Sequence, residues 1–583
     1  MDESLPSPKH PNHLPHGLLL IHVFTSFLSK ERLDINIPRS NCQSIDQTCT
    51  FYGLPDKEAT TKPLTQKIMP ARFHSMALLG LDAVPVEVEA DISRATLPNF
   101  KLVGLPDTSV REAKERVRAA IANSGLTFPQ ARVTVNLAPA DIKKEGPMHD
   151  LAIALSIVSA ASKSAAGDNV RRVFLGELAL TGELRPVTGA LPTVLSALKA
   201  GFSEIYFPTD NSIEVGLAME GVDSKRCIAF PVRSLAEIML HLSGDGCLQP
   251  LDPAAVAQTT QLRPNDQSID FAFVSGQAQA KRALEIAAAG GHNILMSGPP
   301  GSGKTMLARS MPSILPDMTR EEMLETTKIR SVSNQLESGV RLLAERPFRS
   351  PHHTASGAAL IGGGSYPRPG EVSLAHRGVL FLDELPEFPR SALEALRQPL
   401  EDGFVTVSRS QCTLRFPARF MLVAAMNPCP CGYATDPFHD CSCSPSLIAR
   451  YGRRISGPLL DRIDLHIEVP RVDSRDLLNA INAEPSSVVR SRVTLAREKA
   501  RRRFADGQNC SNATIRHQTL RQHCQLDAEA KKFLEEAVDR LKLSARSVTR
   551  TLRVSRTVAD LSDCEKIGRE HLAEALQFRS RTK

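Results

Sequence analysis

The residues best placed to do chemistry form one run, Gly298-Pro-Pro-Gly-Ser-Gly-Lys-Thr305, set between the apolar segment Ile294-Leu-Met-Ser and the helical pattern Met306-Leu-Ala-Arg. Glycines let backbone N–H groups converge on phosphate oxygens, a lysine reaches the β and γ phosphates, and a threonine hydroxyl ligates Mg²⁺. The run is expected to be a P-loop in which Gly298, Pro299, Pro300, Gly301, Ser302, Gly303, Lys304 and Thr305 cradle ATP. A second apolar strand pattern, Gly378-Val-Leu-Phe-Leu, ends in Asp383 and Glu384. Asp383 would hold the Mg²⁺ through water and Glu384 would polarise the attacking water. A third, Phe420-Met-Leu-Val-Ala-Ala-Met, ends in Asn427, whose amide could position that water beside the γ-phosphate. Two carboxylates at a strand end can be merely solvated, but strand, loop, Lys-Thr and helix in this order favour a nucleotide site.

Two other clusters invite chemistry. Cys429-Pro-Cys431 and Cys441-Ser-Cys443 place four thiols directly after Asn427, close enough to converge on a tetrahedral ion such as Zn²⁺. Reduced thiols and a redox disulfide are the alternatives, and His439 is an alternative fourth ligand. The stretch from Arg490 to Arg503 holds seven positive charges against one acidic residue, which suits either phosphate neutralisation or a solvated helix face. His352-His353 has no carboxylate pair beside it in sequence and is expected to be a loop element rather than a metal site.

Positioning these groups takes more than one core, because 583 residues exceed what a single core can organise. Residues 1–75 are rich in Pro, His, Ser and Thr and are expected to be a disordered extension. Their apolar stretch Leu18–Leu28 lacks a small-x-small cleavage pattern, which argues against export. Alternating residues after Met76, a candidate start codon, mark the expected beginning of an α/β domain over 76–243. Residues 244–268 have linker composition, 269–470 form a second α/β unit, and 471–583 are helical, with helices near Ala528–Leu541 and Val548–Leu561. A net charge of +7 permits nucleic acid without arguing for it, no apolar run is long enough to span a bilayer, and the scattered cysteines suit a reducing cytoplasm.

The blocks Val103-Gly-Leu-Pro-Asp-Thr, Val133-Thr-Val-Asn-Leu-Ala-Pro-Ala-Asp, Ser350-Pro-His-His-Thr, Pro369-Gly-Glu-Val-Ser-Leu-Ala-His and Asn427-Pro-Cys-Pro-Cys-Gly resemble those of magnesium-chelatase-like AAA+ proteins of the YifB/ComM type. The resemblance runs from about Met76 to the C-terminus. It implies an α/β fold in three parts: an N-terminal Lon-protease-like domain, a central AAA+ P-loop domain and a C-terminal helical lid. It makes Asn427 the first sensor, and Ser456-Gly-Pro-Leu-Leu-Asp-Arg-Ile-Asp the arginine-finger block, with Arg462 serving a neighbouring subunit. A surface ion pair of Arg462 with Asp461 or Asp464 is the alternative. Leu543-Ser-Ala-Arg-Ser is similar to the second sensor, which would make Arg546 the lid residue that contacts nucleotide, with Arg550 and Arg553 facing solvent or a partner. The resemblance also implies inserted loops at Arg349–His376 and Phe404–Phe420, whose Arg349, Arg368 and Arg409 could contact phosphates, and it places the double histidine toward a ring pore.

In the Lon-like pattern Met148 stands where the nucleophile would be, in Lys144-Glu-Gly-Pro-Met-His, and Thr193 stands where the activating lysine would be. Neither can do Ser–Lys chemistry. The family implies a homo-hexameric DNA helicase that drives branch migration during natural transformation. A chelatase-type or chaperone-like ATPase that remodels a protein is the competing expectation, and a DNA-binding protein without catalysis is a third that the intact nucleotide site disfavours.

Overall fold

The computed structural model describes residues 72–93, 97–162, 170–259, 269–335, 345–364, 367–408, 413–472, 484–504 and 511–579. Expectations for Leu18–Leu28 and Arg409 lie outside these residues.

Short, almost wholly apolar runs in the middle of the chain become strands of one five-stranded parallel sheet. Its order is Phe348–Arg349, Val379–Leu382, Met421–Met426, Ile294–Ser297 and Leu465–Glu468. Strands covered on both faces read as continuous hydrophobic runs, and alternate residues separate to opposite sides. Ile294, Met296, Val379 and Phe381 join one core with helices Ala278–Gly290 and Lys304–Ile314. Leu295, Leu380, Leu382 and Leu422 join another with Leu385, Leu393 and Leu459. Two hairpins project from this unit, Gly362–Gly363 with Arg368–Pro369, and Phe404–Ser408 with Thr413–Pro417.

The N-terminal domain has a four-stranded mixed sheet, ordered Arg72–Leu79, Asp82–Ser93, Arg132–Ala138, Asn99–Val103, and a three-stranded parallel sheet of Arg172–Phe174, Glu204–Pro208 and Ile228–Val232. Its first strand starts four residues before Met76. Phe73 is fully buried and Arg72 pairs with Glu89, so a chain beginning at Met76 would lose half of that strand. The polar sequence just upstream hides this start. The expected linker also begins late. Leu248 is buried, Leu251 donates to the Ala229 carbonyl at 2.8 Å, and helix Pro253–Thr259 lays Val256 against Gly216, so 244–259 straps the domain rather than leaving it.

The C-terminal part is helical, over Ser486–Arg503, Ala528–Leu541, Ala545–Leu561 and Arg569–Gln577. The basic helix Ser486–Arg503 buries Val489, Val493 and Ala496 against the parallel-sheet unit. Its charges are engaged within the chain. Arg490 donates to the Ser313 carbonyl at 2.7 Å, Arg492 to Glu285 at 2.6 Å, Arg497 to the Ala288 carbonyl at 2.8 Å, Lys499 to the Asp560 carbonyl at 3.2 Å and Arg503 to Asp560 at 3.1 Å. Both expected roles, a phosphate-binding face and a solvated face, give way to a clamp between domains. Only its last turn presents strongly exposed arginines, Arg501 and Arg502.

Candidate active site

Register brings the chemistry together. Leu382 lies opposite Ala424, and Ser297 opposite Met426, so Asp383, Asn427 and the P-loop leave the sheet at the same end. A Cβ on Gly298 would lie 2.1 Å from the Val469 carbonyl oxygen, so only glycine lets the loop turn against the edge strand. Gly301 and Gly303 take left-handed φ of 75° and 88°, which turns the chain into helix Lys304–Ile314. Lys304 Nζ donates to the carbonyls of Gly298 and Pro299 at 2.7 and 2.8 Å and lies 3.3 Å from Asn427 Oδ1. Burial lowers its pKa against the raising effect of Asp383. Thr305 Oγ1 donates to Asp383 Oδ2 at 2.8 Å, which brings the two groups together where they could hold one Mg²⁺.

Glu384 turns away from the strand with a left-handed φ of 52°, and its carboxylate meets His353 Nδ1 at 3.1 Å. The double histidine therefore does lie beside the carboxylate pair, contrary to expectation. The two are 31 positions apart in the sequence, and only the adjacency of the strands before them brings them together.

Arg462 and Arg546 stand elsewhere. Asn293, which precedes the P-loop strand, donates from Nδ2 to the Arg462 carbonyl at 3.0 Å. Arg462 is thus at the opposite end of the sheet from its own P-loop, about 13 Å away along a four-residue strand. Its guanidinium pairs with Glu401 and donates to the Pro458 carbonyl, rather than pairing with Asp461 or Asp464. Arg546 pairs with Asp461 at 3.3 Å, which puts it at this same far end, away from its own chain's P-loop. Arg550 pairs with the mostly buried Asp464 at 3.8 Å, and Arg553 is largely buried, so neither faces open solvent. His292, fully buried, joins this network through Asp464 at 3.0 Å and Thr557 at 2.8 Å, tying the sheet to helix Ala545–Leu561. A lone histidine gave no signal of this in the sequence.

Of the loop arginines, Arg349 is held by both carboxylate oxygens of Glu371 at 2.7 and 2.8 Å and is not a free phosphate contact, whereas Arg368 is exposed. The four sulfurs of Cys429, Cys431, Cys441 and Cys443 all lie within 4.8 Å of one another and could hold a metal. The Tyr433 backbone N–H and neighbouring thiols draw Cys431 down to about 6. His439 turns instead to Asp436, at 3.2 Å, and stacks on Tyr433.

The comparisons with known proteins agree with this geometry. Residues 270–477 match the model described as magnesium chelatase, subunit ChlI; residues 88–211 match subunit ChlI of Mg-chelatase, and 483–579 match the ChlI C-terminal model. The uncharacterized protein YifB of Escherichia coli is 44% identical over 87% of this chain and 96% of its own length. Competence protein ComM of Haemophilus influenzae is 44% identical over 88% of this chain and 97% of its own length. The chain belongs to the YifB/ComM family of magnesium-chelatase-like proteins. Family and site together make it an AAA+ ATPase that uses ATP and Mg²⁺. Similarity to the magnesium-chelatase 38 kDa subunit of Acidiphilium rubrum is lower, 27% over 34% of this chain and 62% of that protein. No helix among the described residues is long and apolar enough to cross a membrane.

Proposed function

We propose that this YifB/ComM-family chain is a cytoplasmic motor that assembles as a homo-hexameric ring and uses ATP hydrolysis to drive branch migration of DNA during natural transformation. Arg462 carries the assembly argument. It lies at the far end of the sheet from its own P-loop, where it can complete only a neighbour's site, and arginines supplied in trans stabilise the charge of phosphoryl transfer. Arg546, beside it, would serve the same neighbouring nucleotide.

The name of the competence relative supports DNA as the partner, and the exposed Arg368 beside its hairpin offers a sequence-independent phosphate contact. Arg409, in the second inserted loop, would act likewise. The cysteine cluster would hold one zinc ion. The N-terminal domain would be a Lon-type fold without proteolysis, because Met148 is buried and the buried Thr193 donates to the Gly189 carbonyl at 2.6 Å.

A second function, remodelling of a protein partner, is favoured by the internal engagement of the basic helix, which removes most of the charge that pointed to nucleic acid. ATPase assays with and without DNA, together with release of a labelled strand from a branched substrate, test the choice. DNA-stimulated turnover and strand release are expected. ATP-hydrolysing rings that never release the strand would leave protein remodelling as the function.

A further inference from the structure

The Cys429–Cys443 segment touches the nucleotide loop directly. Tetrahedral Zn–S bonds of about 2.3 Å require sulfurs about 3.8 Å apart. The cluster comes close to that spacing, with Cys429 to Cys431 at 3.3 Å, Cys429 to Cys441 at 3.7 Å and Cys431 to Cys441 at 3.6 Å. All four cysteines are free, and Cys429 is fully buried.

From this cluster three arms reach the active site. Cys429 is two residues beyond Asn427, whose amide lies beside Lys304. Gly432 has a left-handed φ of 90° and sits so close to the P-loop that a Cβ there would lie 2.7 Å from both Cγ and Cδ of Pro300. Asp436, almost fully buried, accepts from Phe438 N at 2.9 Å and pairs with Arg471 at 3.8 Å. Arg471 lies two residues after Val469, the residue whose carbonyl closes over Gly298.

We propose that a zinc ion bound by Cys429, Cys431, Cys441 and Cys443 acts as a brace for the nucleotide site, fixing Pro300 and Asn427 so that the P-loop is held in its phosphate-binding shape. This rests on the zinc occupancy in the functional reading above and adds the coupling to nucleotide. The thiols release their protons to solvent as they bind, and the metal closes a loop that joins two sides of the P-loop. Without it, the short segment between Asn427 and Cys443 loses the link that holds Gly432 against Pro300.

The test uses the full chain purified under reducing conditions. Elemental analysis is expected to give one zinc per chain, and exchange with Co²⁺ is expected to give the visible absorption of a tetrahedral thiolate site. Stripping the metal with a chelator should weaken binding of a fluorescent ATP analogue by about tenfold or more, and restoring zinc should recover it. Gly432→Ala should keep its zinc and still weaken nucleotide binding roughly tenfold, because the added methyl group collides with Pro300 and the left-handed backbone disfavours alanine. Absence of zinc, with four titratable thiols in this segment, overturns the site itself. Zinc present but nucleotide affinity unchanged after stripping overturns the brace and leaves the metal site standing.

Discussion

Lys144 and Lys304 are both buried lysines that donate to backbone carbonyls, yet only one stands in a working site. Around Lys144 the fold supplies its own partners. The ammonium donates to the Pro139 carbonyl, Met148 packs among Val187, Ala190 and Leu191, His149 bonds Ser75 at 2.9 Å, and Asp150 is gripped by Arg116 at 2.8 Å. Around Lys304 the partners are loop carbonyls and the Asn427 amide, at the open end of a sheet, with the exposed Thr305 hydrogen-bonded to the half-buried Asp383 alongside. An arriving triphosphate can take over the Lys304 bonds and a metal ion those of Thr305 and Asp383, whereas nothing can replace the bonds of Lys144 without unpacking the domain. Buried polar groups mark a site when their partners are exchangeable.

The sharpest way to break that contrast is to neutralise both lysines. Lys304→Met should abolish measurable ATP turnover. Lys144→Met should leave turnover of the folded chain within about twofold but lower the melting temperature, since it removes the bond to the Pro139 carbonyl and leaves that acceptor without its donor. A dead Lys144→Met enzyme that remains folded would mean that the N-terminal turn takes part in the chemistry after all.

Next in size is Arg462, which belongs to the exchangeable class only if its Glu401 partner is given up for a neighbour's phosphate. Arg462→Ala should bind ATP almost normally and turn over about 10³-fold more slowly. Mixing it with Lys304→Ala subunits should restore part of the hydrolysis, because each subunit supplies what the other lacks. If mixed rings form and stay inactive, the finger does not act in trans.

The same contrast shows what the sequence could reveal. Phosphate binding needs glycines, a lysine and a threonine at fixed spacing, so the P-loop, Asp383 and Asn427 were legible, as was the alternation of strands and helices that carries them. Charge counts were misleading because they do not name partners: Arg492 finds Glu285 and Arg497 the Ala288 carbonyl more than 200 residues away. The expectation that Arg462 serves a neighbouring subunit came only through family resemblance, since nothing in its local sequence sets its distance from the P-loop. The pairing of Arg546 with Asp461 was not legible, because it depends on how the lid packs.

A smaller effect tests the internally satisfied region. His149 is fully buried with Nε2 unpartnered, and desolvation, aided by the Lys144 charge, lowers its pKa to about 4. Above pH 6.5 both the folded and unfolded chains leave it neutral. As the pH falls from 6.5 toward 4 the unfolded chain takes up a proton that the folded chain refuses, so stability drops by up to about 3 kcal/mol and then levels off. His149→Gln, which can keep the Ser75 bond without titrating, should lack this part of the slope in urea unfolding followed by circular dichroism between pH 7 and 4. Identical slopes would mean that His149 is accessible to protons in the folded state.

The smallest effect concerns a contact between the segment Arg349–His376 and Glu384, the residue proposed to activate water. In the proposed role Glu384 would direct its carboxylate at the attacking water, yet it is paired with His353, which lies on the same segment as Arg368. A hydrogen bond of ordinary strength, about 1 kcal/mol, would divert the carboxylate from water in most molecules and so slow basal hydrolysis about fivefold. A DNA strand drawn to Arg368 would shift the segment and release Glu384, which couples substrate engagement to turnover. His353→Ala should therefore raise DNA-independent hydrolysis roughly fivefold and reduce the further stimulation by DNA to the same extent, with the DNA-saturated rate unchanged. If His353 instead aims Glu384 at the water, the substitution lowers both rates together and leaves the stimulation ratio intact. Measuring turnover with and without DNA for this one variant separates the two, and places Glu384 either among groups that exchange partners during the cycle or among those fixed before it begins.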